Sequence, residues 1–388
     1  RSSIFLTGPF REALETRPAD TENSNSSPTE NYPTSPNPIA LMNPDSRQRI
    51  LVAGVGGASL GTEIIKSLAH AARYRIFGCD ISPLAYGHFV PEVERTFLVR
   101  AEQYTSDILE ICRAHGIQAI LAGGERPLTI LRTIEPELRA HGVLLAGNRP
   151  EIIDVCSDKG LLFDELRRKS IAVPNFARIV SKGDLDRLDS VKGPCVVKPA
   201  TGSGGSAFTL LTSSKDEAKL QCLRILDSGN PVIVQEYLAE SEGEFTVGVL
   251  SIPAFDFVGS VALRRELHAK LSVSSKSDLG VISTGYSQGL IADFNSIRCQ
   301  AEDIARALRS DGPLNLQGRI RHGIFYPFEI NPRFSATTFL RTLAGFNEID
   351  VYLQSHLLGT RPIPPSLREG YYLRSLAETF VPLQSIQK

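Results

Sequence analysis

From Arg49 onward, short apolar runs alternate with longer amphipathic ones, and that succession restricts the fold more than any other feature of the chain. "RILVAGVGG" reads as a strand, "SLGTEIIKSLAHAA" as a helix, "YRIFGCD" as a strand, "SDILEICRAHG" as a helix and "IQAILAGG" as a strand. Strands separated by helices predict a parallel sheet with helices on its faces, here a small doubly wound α/β domain over residues 49–155. The 388 residues leave room for at least one more packed domain. What precedes Arg49 differs. The segment from Pro18 to Arg49 is dominated by Ser, Thr, Asn and Pro, which bury too little apolar area to offset the entropy of ordering them, so residues 1–48 are expected to form a disordered leader. Met42, the only methionine, stands directly before the first well-formed segment, as it would if the residues before it were an added leader.

Charge and cysteine usage exclude several function classes. Lys and Arg total 42 against 43 Asp and Glu, a net charge of -1 that advertises neither a nucleic-acid nor an acidic-membrane partner. The 6 cysteines are scattered without the close pairing of a zinc or redox motif and read as buried thiols. No apolar run approaches the roughly 20 residues that cross a bilayer, and no signal sequence opens the chain. The expectation is a soluble, cytoplasmic protein.

Several stretches carry chemistry. In "FEINPRF", residues two apart on a strand share a face, so Glu329 and Asn331 project together. "LNLQGRI" repeats the alternation upstream, and "RHG" between them offers a hairpin turn. With its centre near Gly323, Gln317 falls opposite Glu329, and three side-chain oxygens converge. Such a platform suits a hard cation that completes its shell with water and substrate phosphates; a solvated amphipathic hairpin accounts for it equally well. Lys198 leaves the apolar strand "CVV" ahead of "ATGSGGS", whose backbone N–H groups suit phosphate oxygens. In "PVIVQEYLAESEGEFTVGVL" an extended link between two strands suits the edge of an adenine, with Glu244 in reach of a ribose; alone it is a hairpin with an acidic loop. The glycines of "GVGGASLG" (Gly54 to Gly61) and Asp80 suggest a dinucleotide turn, and hence a nicotinamide-dependent oxidoreductase. Ser59 occupies the place of the third glycine of that motif, which favours a structural turn or a substrate-facing loop. "AGGERPL" adds Glu125 and Arg126 to the same cleft or to a surface pair.

Taken in order, SDK, VVKP with its glycine loop, VQEYL, GEFTV, NLQGR and FEINPRF resemble the ATP-grasp superfamily, in the branch similar to one half of the carbamoyl-phosphate synthase large subunit and to carboxylate–amine ligases. The resemblance implies an ATP-grasp fold, two α+β subdomains gripping ATP, over residues 156–365, with 366–388 as a C-terminal extension. It implies that Lys159 and Lys198 hold ATP phosphates and that Gly202, Ser203, Gly204, Gly205 and Ser206 close over them. Gln235, Glu236 and Leu238 match the adenine-binding link, Glu244 the ribose acid, Gln317, Glu329 and Asn331 the ligands of Mg²⁺ (or Mn²⁺), and Arg333 the arginine near the transferred phosphate. The implied reaction activates a small carboxylic acid or amino acid as an acyl phosphate, which an amine displaces. Only one such ATP segment is present, which turns the expectation from carbamoyl-phosphate synthesis toward joining a small acid to an amine. Within "RRELHAKLSVSSKSDLGVISTGYSQG", Arg264 or Arg265 is expected to bind the acceptor carboxylate, under a serine-rich lid, with His268 as a candidate base; solvated arginines on a surface excursion remain the plain alternative. The expected partners are small carboxylates and amines and, as for many soluble enzymes, a second copy in a homodimer. A non-catalytic ATP-binding sensor is the non-enzymatic reading.

Overall fold

The computed structural model describes residues 46–202, 208–268 and 270–386. The expected leader lies outside these residues as far as position 45, and Gln48 already opens the first strand.

Five strands, β1 (Gln48–Ala53), β2 (Tyr74–Asp80), β3 (Arg95–Leu98), β4 (Ala119–Ala122) and β5 (Leu144–Ala146), form a parallel sheet in the order β3-β2-β1-β4-β5. Helices α1 (Leu60–Ala71), α2 (Tyr104–His115), α3 (Glu125–Arg132) and α4 (Glu135–Ala140) connect or flank them. β1 and β4 are central and covered on both faces, so they read as unbroken apolar runs. β3 and β5 form the two edges with 4 and 3 residues, too short to leave a periodic signal. The turn after β1 is held from the side: Asp80 accepts from Val55 N (2.8 Å) and Ser82 N (3.0 Å). A Cβ at Gly123 would lie 1.8 Å from the Gly54 carbonyl oxygen, and one at Gly61 would lie 2.0 Å from the same atom. These contacts account for Gly54, Gly61, Gly123 and Asp80 as a tight junction between strands and helix; Gly56 has open space around it.

Two further helices, α5 (Pro150–Ser157) and α6 (Lys159–Arg168), lead into an antiparallel sheet of β6 (Phe176–Ile179), β7 (Cys195–Pro199), β8 (Leu210–Thr212) and β9 (Val232–Glu236), ordered β6-β9-β7-β8. The expected boundary at 155–156 falls inside α5. Helix α7 (Lys215–Asp227) closes a small core with this sheet around Ile179, Val197, Ile225 and Val234. Residues 237–243 then carry the chain into a different sheet, so β9 and the next strand are not the hairpin that the isolated stretch suggests.

That last sheet holds β10 (Glu244–Ile252), β11 (Phe257–Arg265), β14 (Gly289–Ile291), β15 (Pro313–Arg321), β16 (Ile324–Asn331) and β17 (Gly370–Tyr372), in the order β16-β15-β10-β11-β14-β17. A separate hairpin, β12 (Val273–Ser277) with β13 (Gly280–Ser283), projects between β11 and β14. Helices α8 (Asn295–Leu308), α9 (Thr338–Leu343) and α10 (Glu348–Leu358) complete the fold. None of the helices among the described residues is long and apolar enough to cross a membrane.

The parallel sheet shares its core with the last one. Ile50, Val52, Ile64 and Leu68 belong to one apolar cluster with Val261, Leu263, Phe334, Tyr352 and Leu353. Polar contacts reinforce the seam: Ser67 Oγ accepts from Thr342 (3.1 Å), Ser67 O accepts from Asn347 (2.8 Å), and Arg374 reaches the buried Glu63 (3.4 Å). Residues after 366 therefore do more than trail, since β17 extends the sheet and Arg374 reaches back to α1. Of the thiols, Cys79, Cys112, Cys195 and Cys222 are buried as expected, whereas Cys156 is half-buried and Cys299 stands exposed on the outer face of α8.

Gly123→Ala tests the tight turn. With the added methyl inside the Gly54 carbonyl, unfolding in denaturant should show a loss of about 3 kcal/mol, the upper end for overpacking, while Gly56→Ala, with open space and no left-handed backbone, should lose much less.

Candidate active site

The late hairpin builds the floor. His322 and Gly323, both at positive φ (54° and 73°), form a two-residue turn of the kind that matches strand twist. Counted from that turn alone, Gln317 would face Phe328. A bulge after Gln317 restores the expected register, placing Gln317 opposite Glu329 and Asn315 opposite Asn331. The extra residue, Phe328, gives its carbonyl to Lys198 Nζ (3.2 Å) and its ring to the same ammonium at 5.6 Å. Asn331 Nδ2 donates to Glu329 Oε1 (3.0 Å) and so fixes the carboxylate's orientation.

Two lysines meet this floor from different elements. Asp158 caps α6, accepting from Gly160 N (2.8 Å) and Leu161 N (3.1 Å), and its other oxygen pairs with Arg178 (2.6 Å). Lys159 N donates to Ala200 O (2.9 Å), which ties the helix start to the end of β7, where Lys198 emerges. Both side chains are buried. Desolvation, followed by repulsion from Lys159, lowers the Lys198 ammonium to about 7, and Glu329 opposes that fall. Burial acts to raise Glu329, yet Lys159 and Lys198, with Asn331 and Arg333, hold it below the usual carboxylate range. The floor thus carries a fixed negative charge facing two cations.

Two cavities meet here. The first, of about 190 Å³, is lined by Lys159, Lys198, Gly202, Gln235, Leu238, Glu244, Gln317 and Glu329; the second, of about 370 Å³, by Lys159, Gly202, Glu329, Asn331, Arg333, Glu125 and Arg126. Lys159, Gly202 and Glu329 belong to both. Gln235 Oε1 is buried with no partner among the described residues. Glu236 points away, its carboxylate on Arg321 (2.5 Å) and Asn175 N (3.1 Å), and it does not line the cavity. Arg333 is ion-paired with Glu125 at 2.9 Å. Ser203, Gly204, Gly205 and Ser206 lie outside the described residues.

The expected pair Arg264 and Arg265 is split, because neighbouring residues of β11 face opposite sides of the sheet. Arg264 is exposed over a groove that it shares with Glu240, Glu266, His268 and Lys276, so neither it nor His268 reaches the two cavities. Arg265 is fully buried and engaged with Glu244 (2.9 Å), Ser283 Oγ (3.0 Å) and Thr284 O (2.6 Å). Arg265 thus has its guanidinium committed to partners within the protein, and Arg264 lies outside both cavities. Glu244 is also gripped by Arg319 (2.8 Å), which bonds Leu238 O (2.5 Å) and Val281 O (2.7 Å). Burial acts to raise the Glu244 carboxyl, and the two guanidiniums hold it low. Arg319 is the residue that sequence reading missed. Its signal was available, since it lies two residues beyond Gln317 on the same face of β15, with Glu244 opposite on β10. The serine-rich segment does reach the first cavity, through Val281 to Gly285.

No family model matches the chain. It is 26% identical over 243 residues to the carbamoyl phosphate synthase large chain of Mycobacterium sp. (strain JLS), which covers 60% of this chain and 21% of that protein. The chain thus spans about a fifth of the length of that curated relative. Among solved structures it is similar to N5-carboxyaminoimidazole synthetase from Staphylococcus aureus complexed with ADP (TM-score 0.61, 14% identity, 82% of this chain and 80% of that one). It is also similar to L-amino acid ligase from Bacillus licheniformis (TM-score 0.59, 15% identity, 80% and 74%). The fold is that of the ATP-grasp proteins. Within that class the chain resembles the carbamoyl phosphate synthase large chain and the carboxylate–amine ligases.

Removing Glu244 as Glu244→Ala strands two buried guanidiniums and should cost about 3–5 kcal/mol in denaturant unfolding, with part of the loss recovered in Glu244→Ala/Arg265→Met. Lys198 makes a pH prediction. Well below pH 7 it is charged in both folded and unfolded chains, so the burial penalty is fully felt; between about 7 and 10.5 the folded lysine loses its proton while the unfolded one keeps it. Stability relative to Lys198→Met should therefore rise with pH across that window, by up to about 1.4 kcal/mol per unit in paired melts.

Proposed function

We propose that the protein is an ATP- and Mg²⁺-dependent carboxylate–amine ligase that activates a small carboxylic or amino acid as an acyl phosphate and couples it to an amine. The observation that carries this reading is the meeting of two cavities at Lys159, Gly202 and Glu329, the place where a phosphoryl group would pass from one occupant to the other.

In the first cavity the unpartnered Gln235 oxygen and the Leu238 N–H suit the edge of adenine, with the Glu236 carbonyl between them in the chain, while the Leu238 carbonyl is taken by Arg319. Glu244, already neutralised by Arg265 and Arg319, would serve ribose hydroxyls as a hydrogen-bond acceptor rather than as a free charge. Lys159, Lys198 and Gly202, with Ser203 to Ser206, would hold the phosphates. The floor offers one carboxylate and the carboxamides of Gln317 and Asn331, and the described residues contain no group of three or more His, Cys, Asp or Glu that could hold a metal. That donor set fits a hard cation brought by phosphates and is too weak to retain one alone. Bound there, Mg²⁺ supplies neutralisation of phosphate charge. The chain's own residues do the rest: Lys198 and Lys159 neutralise from above, Asn331 orients Glu329, and Arg333, held by Glu125, faces the second cavity where the acceptor carboxylate would sit beside Arg126. Shielding the junction from water protects an acyl phosphate from hydrolysis.

ADP and phosphate release across a panel of amino acids, small acids and amines tests the proposal. Glu329→Ala should lower turnover about 100-fold or more in protein that still folds but is less stable, since it also removes the carboxylate facing two buried lysines. Lys198→Ala should weaken Mg·ATP binding about tenfold, in line with the loss of a charge-assisted contact. Arg333→Ala should cost more in kcat than in nucleotide affinity. Tight Mg·ATP binding with no ADP release on any panel member overturns the ligase reading in favour of a nucleotide-binding sensor.

A further inference from the structure

A third cavity, of about 200 Å³, lies outside the carboxyl ends of the parallel strands, among Gly54 after β1, Asp80 and Ile81 at the end of β2, Tyr104 at the start of α2, and Pro127 and Ile130 on α3. The strand order β3-β2-β1-β4-β5 reverses direction between β1 and β4, and open α/β sheets bind ligands in the crevice at such a reversal. Arg126, exposed on the first turn of α3, lines both this cavity and the acceptor cavity, so the two are neighbours across that residue.

One atom in the cavity is unaccounted for. Tyr104 is 8% exposed, and its hydroxyl has no hydrogen-bond partner among the described residues. Leaving a buried hydroxyl unpaired costs about 1–3 kcal/mol, and buried polar groups are nearly always satisfied. The adjacent carboxylate does not serve it: the Asp80 oxygens accept from the Val55 and Ser82 amides, and neither bonds the Tyr104 hydroxyl. Burial pushes the phenol up, so it stays protonated and able to donate. Ile81, Pro127, Ile130 and the Tyr104 ring make the remaining walls apolar. The volume is far short of a dinucleotide and suits a single side chain.

We propose that this cavity is a specificity pocket for the ligase's amino-acid substrate, taking a short apolar side chain that ends in a hydroxyl or similar hydrogen-bonding group on Tyr104. The α-carbon then lies at Arg126, with the amino and carboxylate groups on the acceptor side. The inference rests on the ligase reading for the identity of the substrate, and on the unpaired hydroxyl for the chemistry of its tail.

Calorimetric titration of the full chain with 5-hydroxynorvaline and with norleucine, an isosteric hydroxyl and methyl pair, tests it, with and without saturating Mg·ADP. The wild type should bind the hydroxylated member about tenfold more tightly. Tyr104→Phe should equalise the two, and Ile130→Trp, which fills the cavity, should lose both, each with Mg·ADP affinity unchanged. Wild-type protein that binds neither compound, or does not discriminate between them, overturns the pocket, as does a preference that survives in Tyr104→Phe. Failure of Mg·ADP to bind counts against the ligase reading alone, because the amino-acid titrations are scored separately.

Discussion

Glu329 is the carboxylate that does most to let Lys159 and Lys198 be buried side by side, with Glu244 adding a smaller share at Lys198. Each lysine comes from a different element, one from a helix start and one from a strand end, and their mutual repulsion is opposed chiefly by this carboxylate from a third. The pinning of α6 to β7, the bulge at Phe328 and the Asn331 amide all serve that meeting, because a charge pair in low dielectric is favourable only when its geometry is held. Two lysines facing this carboxylate, with open volume on both sides, leave the cluster under-neutralised, an arrangement that favours an anionic ligand.

A second buried cluster does a different task. Glu244 between Arg265 and Arg319 joins β10, β11 and β15, while the same guanidiniums bond the carbonyls of Leu238, Val281 and Thr284. The connector between sheets and the projecting hairpin are thereby fastened to the wall of the first cavity. The position that resembles a ribose-binding acid is thus also a structural keystone, and its charge is shared among partners within the protein.

Much of this was legible in the sequence where periodicity was strong. β1, α1, β2, α2 and β4 lie where alternation placed them, because central strands and their cover helices must be apolar in register with the core. The pairing of Gln317 with Glu329 was also foreseen, although two shifts cancelled: the turn centres half a residue earlier than Gly323, and the bulge adds one residue back. Edge strands β3, β5 and β17 were not seen, since 3 or 4 residues carry too little pattern. The roles of Arg264 and Arg265 could not be separated without knowing the phase of β11, and Arg319 was legible only through its two-residue spacing from Gln317, against the rule that an arginine in a strand ordinarily faces solvent. Tertiary pairing with Glu244 overrode that expectation.

The shared core between the parallel sheet and α9 and α10 bears on how such a molecule can be re-engineered. Helix α1 turns Glu63 and Ser67 inward, where they meet Arg374, Thr342 and Asn347. A graft that imports a foreign recognition module by cutting near position 155 would leave those groups facing mismatched neighbours. Chimeras that exchange selectivity would have to carry both halves of the seam across together, from α1 on one side to α9, α10 and the Arg374 strand end on the other.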